Sequence, residues 1–129
     1  MRRTSIYTDG FSHANPVPAA CRIGPIVYSG AITGRDPVSK QMPPDLDSQC
    51  TNLFHHVVEI VTAAGGSPDD IVKITVHLRD FRNRSALNRE WEALFPDPEN
   101  RPARQALPAD LDGDMQIQCD FVAVLADGA

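Results

Sequence analysis

An arginine that follows a stiff, small dipeptide is the side chain in this sequence best suited to hold an anion. Arg104 comes after Pro102-Ala103 in the run Arg101-Pro102-Ala103-Arg104-Gln105-Ala106-Leu107, a short segment expected to enter a sheet rather than dangle in solvent. A guanidinium on a rigid strand presents a planar fork to a carboxylate. The plainer alternative is an ordinary salt-bridging arginine, and both readings are open at this level.

Other reactive side chains argue against several chemistries. The histidines are His13, His55, His56 and His77. Adjacent His55 and His56 would point about 100° apart on a helix and could not clamp one ion as an i,i+4 pair does. With no HExxH or CxxC pattern, no metal site is expected, and all four read as surface or interface residues. Ser29 lacks the GxSxG elbow, and Cys21, Cys50 and Cys119 have no recognisable base partner, so covalent catalysis is not supported. Gly24, Gly30 and Gly34 form neither GxGxxG nor a P-loop and read as turn glycines.

The composition narrows the setting. At 129 residues, 42% hydrophobic, the chain suits one globular domain over residues 1–129, with 1–10 expected as a loose N-terminal arm. Three widely spaced cysteines make a disulfide scaffold an unattractive reading and a reducing compartment the better one. No apolar run approaches the roughly 18 residues of a membrane span, and the N-terminus lacks the apolar stretch of a signal peptide, so a cytoplasmic protein is expected. Twelve Lys/Arg against seventeen Asp/Glu give a net charge of −5, which removes the electrostatic footprint of a nucleic-acid binder. The one basic cluster, Arg79, Arg82 and Arg84, is interrupted by Asp80 and reads as a solvated loop beside a helix start.

The elements that would position Arg104 follow from periodicity. Strands are expected at Ala19–Ile23 and Ile26–Gly30, joined through Gly24-Pro25 as a hairpin. Phe11–Pro18 should be an ordered loop, and the stretch from Ala31 to Pro44 a long surface loop. From about Asp45, Leu46, Cys50, Leu53, Phe54, Val57, Ile60, Val61 and Ala64 recur at helical spacing, ending at Gly65-Gly66. Val72, Ile74, Val76 and Leu78 alternate with polar residues as a half-buried strand. A second helix, capped by Ser85 or Asn83, would bury Leu87, Trp91, Leu94 and Phe95 and stop at Pro96. Met115–Leu125 alternates again as a long strand. The order β-β-α-β-α-β-β predicts a two-layer α+β domain with both helices on one face of a mixed sheet. The other face, with Thr75, His77, Gln116, Gln118 and Asp120 beside Val122 and Val124, is too apolar to be fully exposed and too polar for a core. That mixture implies homo-oligomerisation with a ligand cleft at the subunit boundary.

Four ordered blocks make the pattern specific: Tyr28-Ser29-Gly30; Ala63 to Val76 around Gly65-Gly66-Ser67-Pro68-Asp69-Asp70; Leu87-Asn88; and Arg101-Pro102-Ala103-Arg104. Over roughly residues 10 to 125 the chain resembles the Rid, or YjgF-type, family. The resemblance implies a chorismate-mutase-like α+β fold and a homotrimer with ligand clefts between subunits. Active members of that family hydrolyse small enamines and imines to 2-keto acids and ammonia without metal or organic cofactor. It further implies that Arg104 binds the substrate carboxylate, and that Ser29, Gly30 and Asn88 occupy the positions of family site residues.

Two positions depart from that pattern. The glutamate that deaminases of the family usually carry on the last strand aligns with Gln118, whose amide neither donates nor accepts a proton at neutral pH. Asp120 lies on the same strand face two residues, about 7 Å, further along. The N-terminal loop carries Phe11-Ser12-His13-Ala14-Asn15 where many deaminases have a tyrosine. The first reading is a deaminase-like hydrolase: Arg104 holds a small 2-imino acid, backbone groups near Gly30 and Ala106 orient imine and water, and an acid on the last strand or the substrate itself moves the proton. The second is a non-catalytic trimer that binds small carboxylates or partner proteins in the same cleft. An endoribonuclease or translation-inhibitor role is least supported, because no aromatic-basic platform accompanies the negative charge.

Overall fold

The longest alternating runs form the middle of the sheet. In the computed structural model, which describes residues 2–126, β5 (Ile71–Leu78) and β7 (Ile117–Val124) pair antiparallel, with Ile74 opposite Phe121, Val76 opposite Cys119 and Leu78 opposite Ile117. These six side chains are at most 1% exposed and carry the sheet's side of the core. The expected hairpin is present as β2 (Ala20–Ile23) and β3 (Ile26–Ser29), turned at Gly24, whose φ of 56° suits glycine. Strand β6 (Ala103–Pro108) runs parallel to β5 and forms one edge.

Helix α1 (Leu46–Ala63) is the expected amphipathic helix and buries Cys50, Leu53, Phe54, Val57, Ile60 and Val61. The Asp45 side chain accepts from the Ser48 N–H at its start. At its end Gly65 takes φ 100°, and Arg22 donates to the Ala64 carbonyl at 2.9 Å. Helix α2 (Ser85–Leu94) buries Leu87 and Trp91 and ends before Pro96. Both helices share one core with the sheet, the expected two-layer α+β arrangement.

Several expectations are corrected. Residues 3–6 are not a loose arm: β1 (Arg3–Ile6) pairs antiparallel with β2 and buries Ile6. The expected long surface loop contains β4 (Ile32–Thr33), which pairs with Cys119 and Gln118 of β7 and is buried. The sheet order is therefore β1-β2-β3-β7-β5-β6, with β4 beside β7 where β3 leaves it. Neither Ser85 nor Asn83 caps α2; Arg84 occupies the cap position and makes no side-chain capping bond. Gly34 is not a turn residue but a close approach. A Cβ there would lie 2.5 Å from Cα and 2.6 Å from Cβ of Gln49, and nearer still to the Gln49 carbonyl oxygen. Gln49 is fully buried and satisfied: Nε2 donates to the Pro43 and Asp114 carbonyls at 2.7 and 2.8 Å, and Oε1 accepts from the Gln116 N–H. It thereby ties α1 to the start of β7.

His56 is also corrected, since it is a core residue at 1% exposure rather than a surface one. Its Nε2–H donates to the Arg35 carbonyl at 2.6 Å, which leaves Nδ1 as a buried acceptor without a partner. Burial lowers its pKa from the ordinary 6.5, and the charges of His55, Lys40 and Arg35 act in the same direction. The unfolded chain therefore takes up a proton below pH 6.5 that the folded chain refuses, so stability is full above that pH and falls as the pH drops toward the lowered folded value. The carboxylates of Asp36 and Asp45 are held low mainly by backbone N–H groups and lose their contribution only below about 3.8, a separate window. Melting temperatures should decline from pH 7 to 5 and do so less steeply in His56→Gln; parallel curves for the two proteins would contradict this.

Candidate functional site

Parallel pairing decides which way Arg104 points. Register partners in a sheet share a face, and Arg104 and Ala106 are opposite Ile74 and Val76, the core-facing residues of β5. Arg104 therefore lies on the helix side of the edge strand, with its guanidinium carbon 5.0 Å from the centre of the Trp91 ring on α2. One of its terminal nitrogens is buried without a hydrogen-bond partner. Among the described residues the ion pairs are those of Arg89 with Asp47 and Glu90, so no described carboxylate neutralises Arg104. Burial, and next the charge of Arg84, lower its pKa below the ordinary guanidinium value, yet it stays protonated. The result is a half-buried cation with no anion beside it among the described residues. Asn88, half-buried, lies on the same α2 stripe one turn before Trp91, and Ala106 follows Arg104 on the same face of β6.

A second group forms where β3 leaves β7. The Ser29 hydroxyl accepts from the Phe121 N–H at 2.8 Å and donates to the Gly30 carbonyl at 2.9 Å, so it bridges the gap between the strands. Its one proton is thus engaged within the chain. A Cβ on Gly30 would meet nothing nearer than 3.7 Å, so the fold does not demand glycine there. The His13 Nε2 lies 3.9 Å from that Cβ position, buried and without a partner, with its ring edge-on to Phe11. Along β7, Gln118 and Asp120 alternate with core-facing Ile117, Cys119 and Phe121 and so occupy the sheet face that carries no helix. Gln118 pairs with Thr33 on one side and His77 on the other, and Asp120 pairs with Thr75. Both the Thr33 hydroxyl and His77 Nδ1 are buried without partners on that face.

One chain does not bring the two groups together. Arg104, Asn88 and Ala106 are on the helix side; Gln118 and Asp120 are on the open side, two strand spacings or roughly 10 Å away across β5. The thiols take no part in either group. Burial pushes Cys50 up to about 12 and raises Cys119 as well, which keeps both protonated and poorly nucleophilic. His13, Thr33 and His77 were not among the expected site residues. For His77 the alternation of β5 was a usable signal, because it shares the polar face with Gln118; nothing local marks His13 or Thr33.

Two helices on one face of a mixed sheet, an edge arginine and an uncovered opposite face define an α+β protein of the chorismate-mutase-like class. The pattern of the family described as Endoribonuclease L-PSP matches residues 9–125, and the chain belongs to that family, the YjgF/Rid proteins. It is 34% identical over 101 residues to the 2-iminobutanoate/2-iminopropanoate deaminase of Escherichia coli K12, covering 77% of this chain and 78% of that one. It is 30% identical over 112 residues to a RutC family protein of Haemophilus influenzae, covering 84% and 86%. Among solved structures it matches RidA of an Antarctic Psychrobacter with a TM-score of 0.87 and 27% identity, over 95% of this chain and 99% of that one. The YjgF gene product of Escherichia coli matches with a TM-score of 0.85, also at 27% identity, over 94% and 98%. No helix among the described residues is long and apolar enough to cross a membrane.

Proposed function

We propose that the protein hydrolyses small 2-imino acids to 2-keto acids and ammonia, in a site completed when a second copy of the chain joins the two groups described above. The observation that carries this reading is the buried, unpartnered guanidinium nitrogen of Arg104, which suits a substrate carboxylate. The deaminase name of relatives more than 30% identical supports the reaction class. Assembly as a homotrimer in the cytoplasm belongs to the same proposal. It is supported by apolar side chains left exposed on the open face, among them Tyr28, Ile26 and Val124, and by the buried orphan atoms of Thr33 and His77 beneath it.

In the proposed reaction, water adds to the imine carbon and forms a C–O bond while the C=N π electrons move to nitrogen, which takes one of the water's protons. The remaining hydroxyl proton then passes to that nitrogen as the C–N bond breaks, so that ammonia leaves and the carbonyl forms. Arg104 fixes the carboxylate, backbone groups near Gly30 and Ala106 orient imine and water, and the Gln118 amide positions water without taking its proton. Asp120 on the same face supplies a carboxylate within reach through a bridging water. No metal or organic cofactor is invoked.

Gln118 favours a second reading, a binder of small carboxylates or partner proteins that has discarded proton transfer. One assay separates the two: ammonia release from freshly generated 2-iminobutanoate, run beside a mass measurement in solution. A hydrolase accelerates release over buffer, Gln118→Glu raises the rate further by at least about tenfold, and the mass is three times 14.1 kDa. Ligand binding without acceleration in the wild type, with activity appearing in Gln118→Glu, would select the binder. A monomer would remove the composite site from both. RNA cleavage, which the family's description names, finds no basic platform here at a net charge of −5.

A further inference from the structure

We infer that the Arg104 site takes a dicarboxylic ligand, a 2-imino or 2-keto acid with a second carboxylate, and that Arg84 receives that second group. This rests on the carboxylate role proposed for Arg104 and specifies its substrate class. Arg84 stands at the N-cap of α2, and its carbonyl accepts the Asn88 N–H at 2.9 Å. Arg84, Asn88 and Trp91 thus follow at i, i+4 and i+7 on one helix stripe, which Arg104 overlies at its Trp91 end. The two arginines bracket about two turns of helix, roughly 10 Å of its axis.

Arginine is a poor choice at that position for stability. A cap favours Ser, Thr, Asp or Asn, and the positive end of the helix dipole disfavours a cation. Arg84 caps nothing. Instead it is held in place: Nε–H donates to the Phe81 carbonyl at 3.2 Å and the guanidinium lies 4.2 Å over the Phe81 ring. Its two terminal nitrogens have no partner among the described residues, and its charge reaches Arg104. Among the described residues no carboxylate pairs with either guanidinium. Two uncompensated cations on one stripe repel each other; a monocarboxylate would neutralise one of them, and a dicarboxylate both.

The test is the affinity of the assembled protein for 2-oxoglutarate and for 2-oxobutanoate, measured by calorimetry or ligand-observed NMR. The wild type should bind the diacid about tenfold more tightly. In Arg84→Gln that ratio should fall toward one, in Arg84→Lys most of it should return, and in Arg104→Gln both acids should be lost. Arg104-dependent binding of both acids with no preference for the diacid, or a preference that survives Arg84→Gln, would overturn the inference alone. Failure of either acid to bind, or binding indifferent to Arg104→Gln, would overturn the carboxylate site itself and the inference with it.

Discussion

Replacing Arg104 by alanine is expected to weaken binding of small 2-keto acids by at least about 100-fold and to remove accelerated ammonia release. A guanidinium makes two charge-assisted hydrogen bonds to one carboxylate, each contributing about 1.5–3 kcal/mol, and neither can be replaced by a methyl group. Loss of fold is not the cause to expect. The side chain has no ion pair among the described residues, keeps an orphan nitrogen and feels the charge of Arg84, so its removal sacrifices mainly the contact with Trp91. The melting temperature should stay within a few degrees of wild type, and Arg104→Gln, which fills more of the space over Trp91, should lose binding equally. If the site is composite, co-assembly of Arg104→Ala chains with Gln118→Ala chains should restore some wild-type clefts, each with an intact group from either partner. Retained affinity in Arg104→Ala would end the assignment, and absence of any recovery in mixed assemblies would return the two groups to separate roles.

Among the described glycines, Gly34→Ala should be the most damaging replacement by alanine. Its Cβ would fall on backbone atoms of Gln49 within α1, which cannot rotate aside, and the Asn52 amide also bonds the Gly34 carbonyl at 3.0 Å. Relief requires β4 and α1 to move apart, which loosens Ile32 in the core and the Gln49 amide that holds Asp114 and Gln116. A cost of about 3 kcal/mol or more follows, a fall in melting temperature on the order of 10 °C. Because Gln116 leads into Gln118, activity should fall in the variant even at temperatures where it is folded. Gly30→Ala is the contrast, with no atom nearer than 3.7 Å to its new methyl, and should melt close to wild type. Equal melting points for the two variants would show that the approach of Gly34 to α1 is not as close as described.

Much of this was legible in the amino-acid string for reasons of period. Leu46 to Ala64 repeats at helical spacing, and Val72–Leu78 and Met115–Leu125 alternate, so α1, β5 and β7 and the faces they bury could be read directly. Arg104 stood out because proline and alanine before it stiffen a strand that has little else to bury. Short elements were opaque: β1 and β4 have four and two residues, too few for a period, and exist because distant β2 and β7 offer them hydrogen bonds. His56 reads as a surface or interface position and Gln49 draws no reading at all, because a polar residue inside a core is recognisable only from its partners, which lie elsewhere in the chain. The side of the sheet that Arg104 takes depends on its register against β5, and a one-residue slip would have turned it to join Gln118 and Asp120. Periodicity is a local property and survives in one dimension. Register, strand direction and the company of a buried polar group are set by pairing between residues far apart in the chain, and exist only once it has folded.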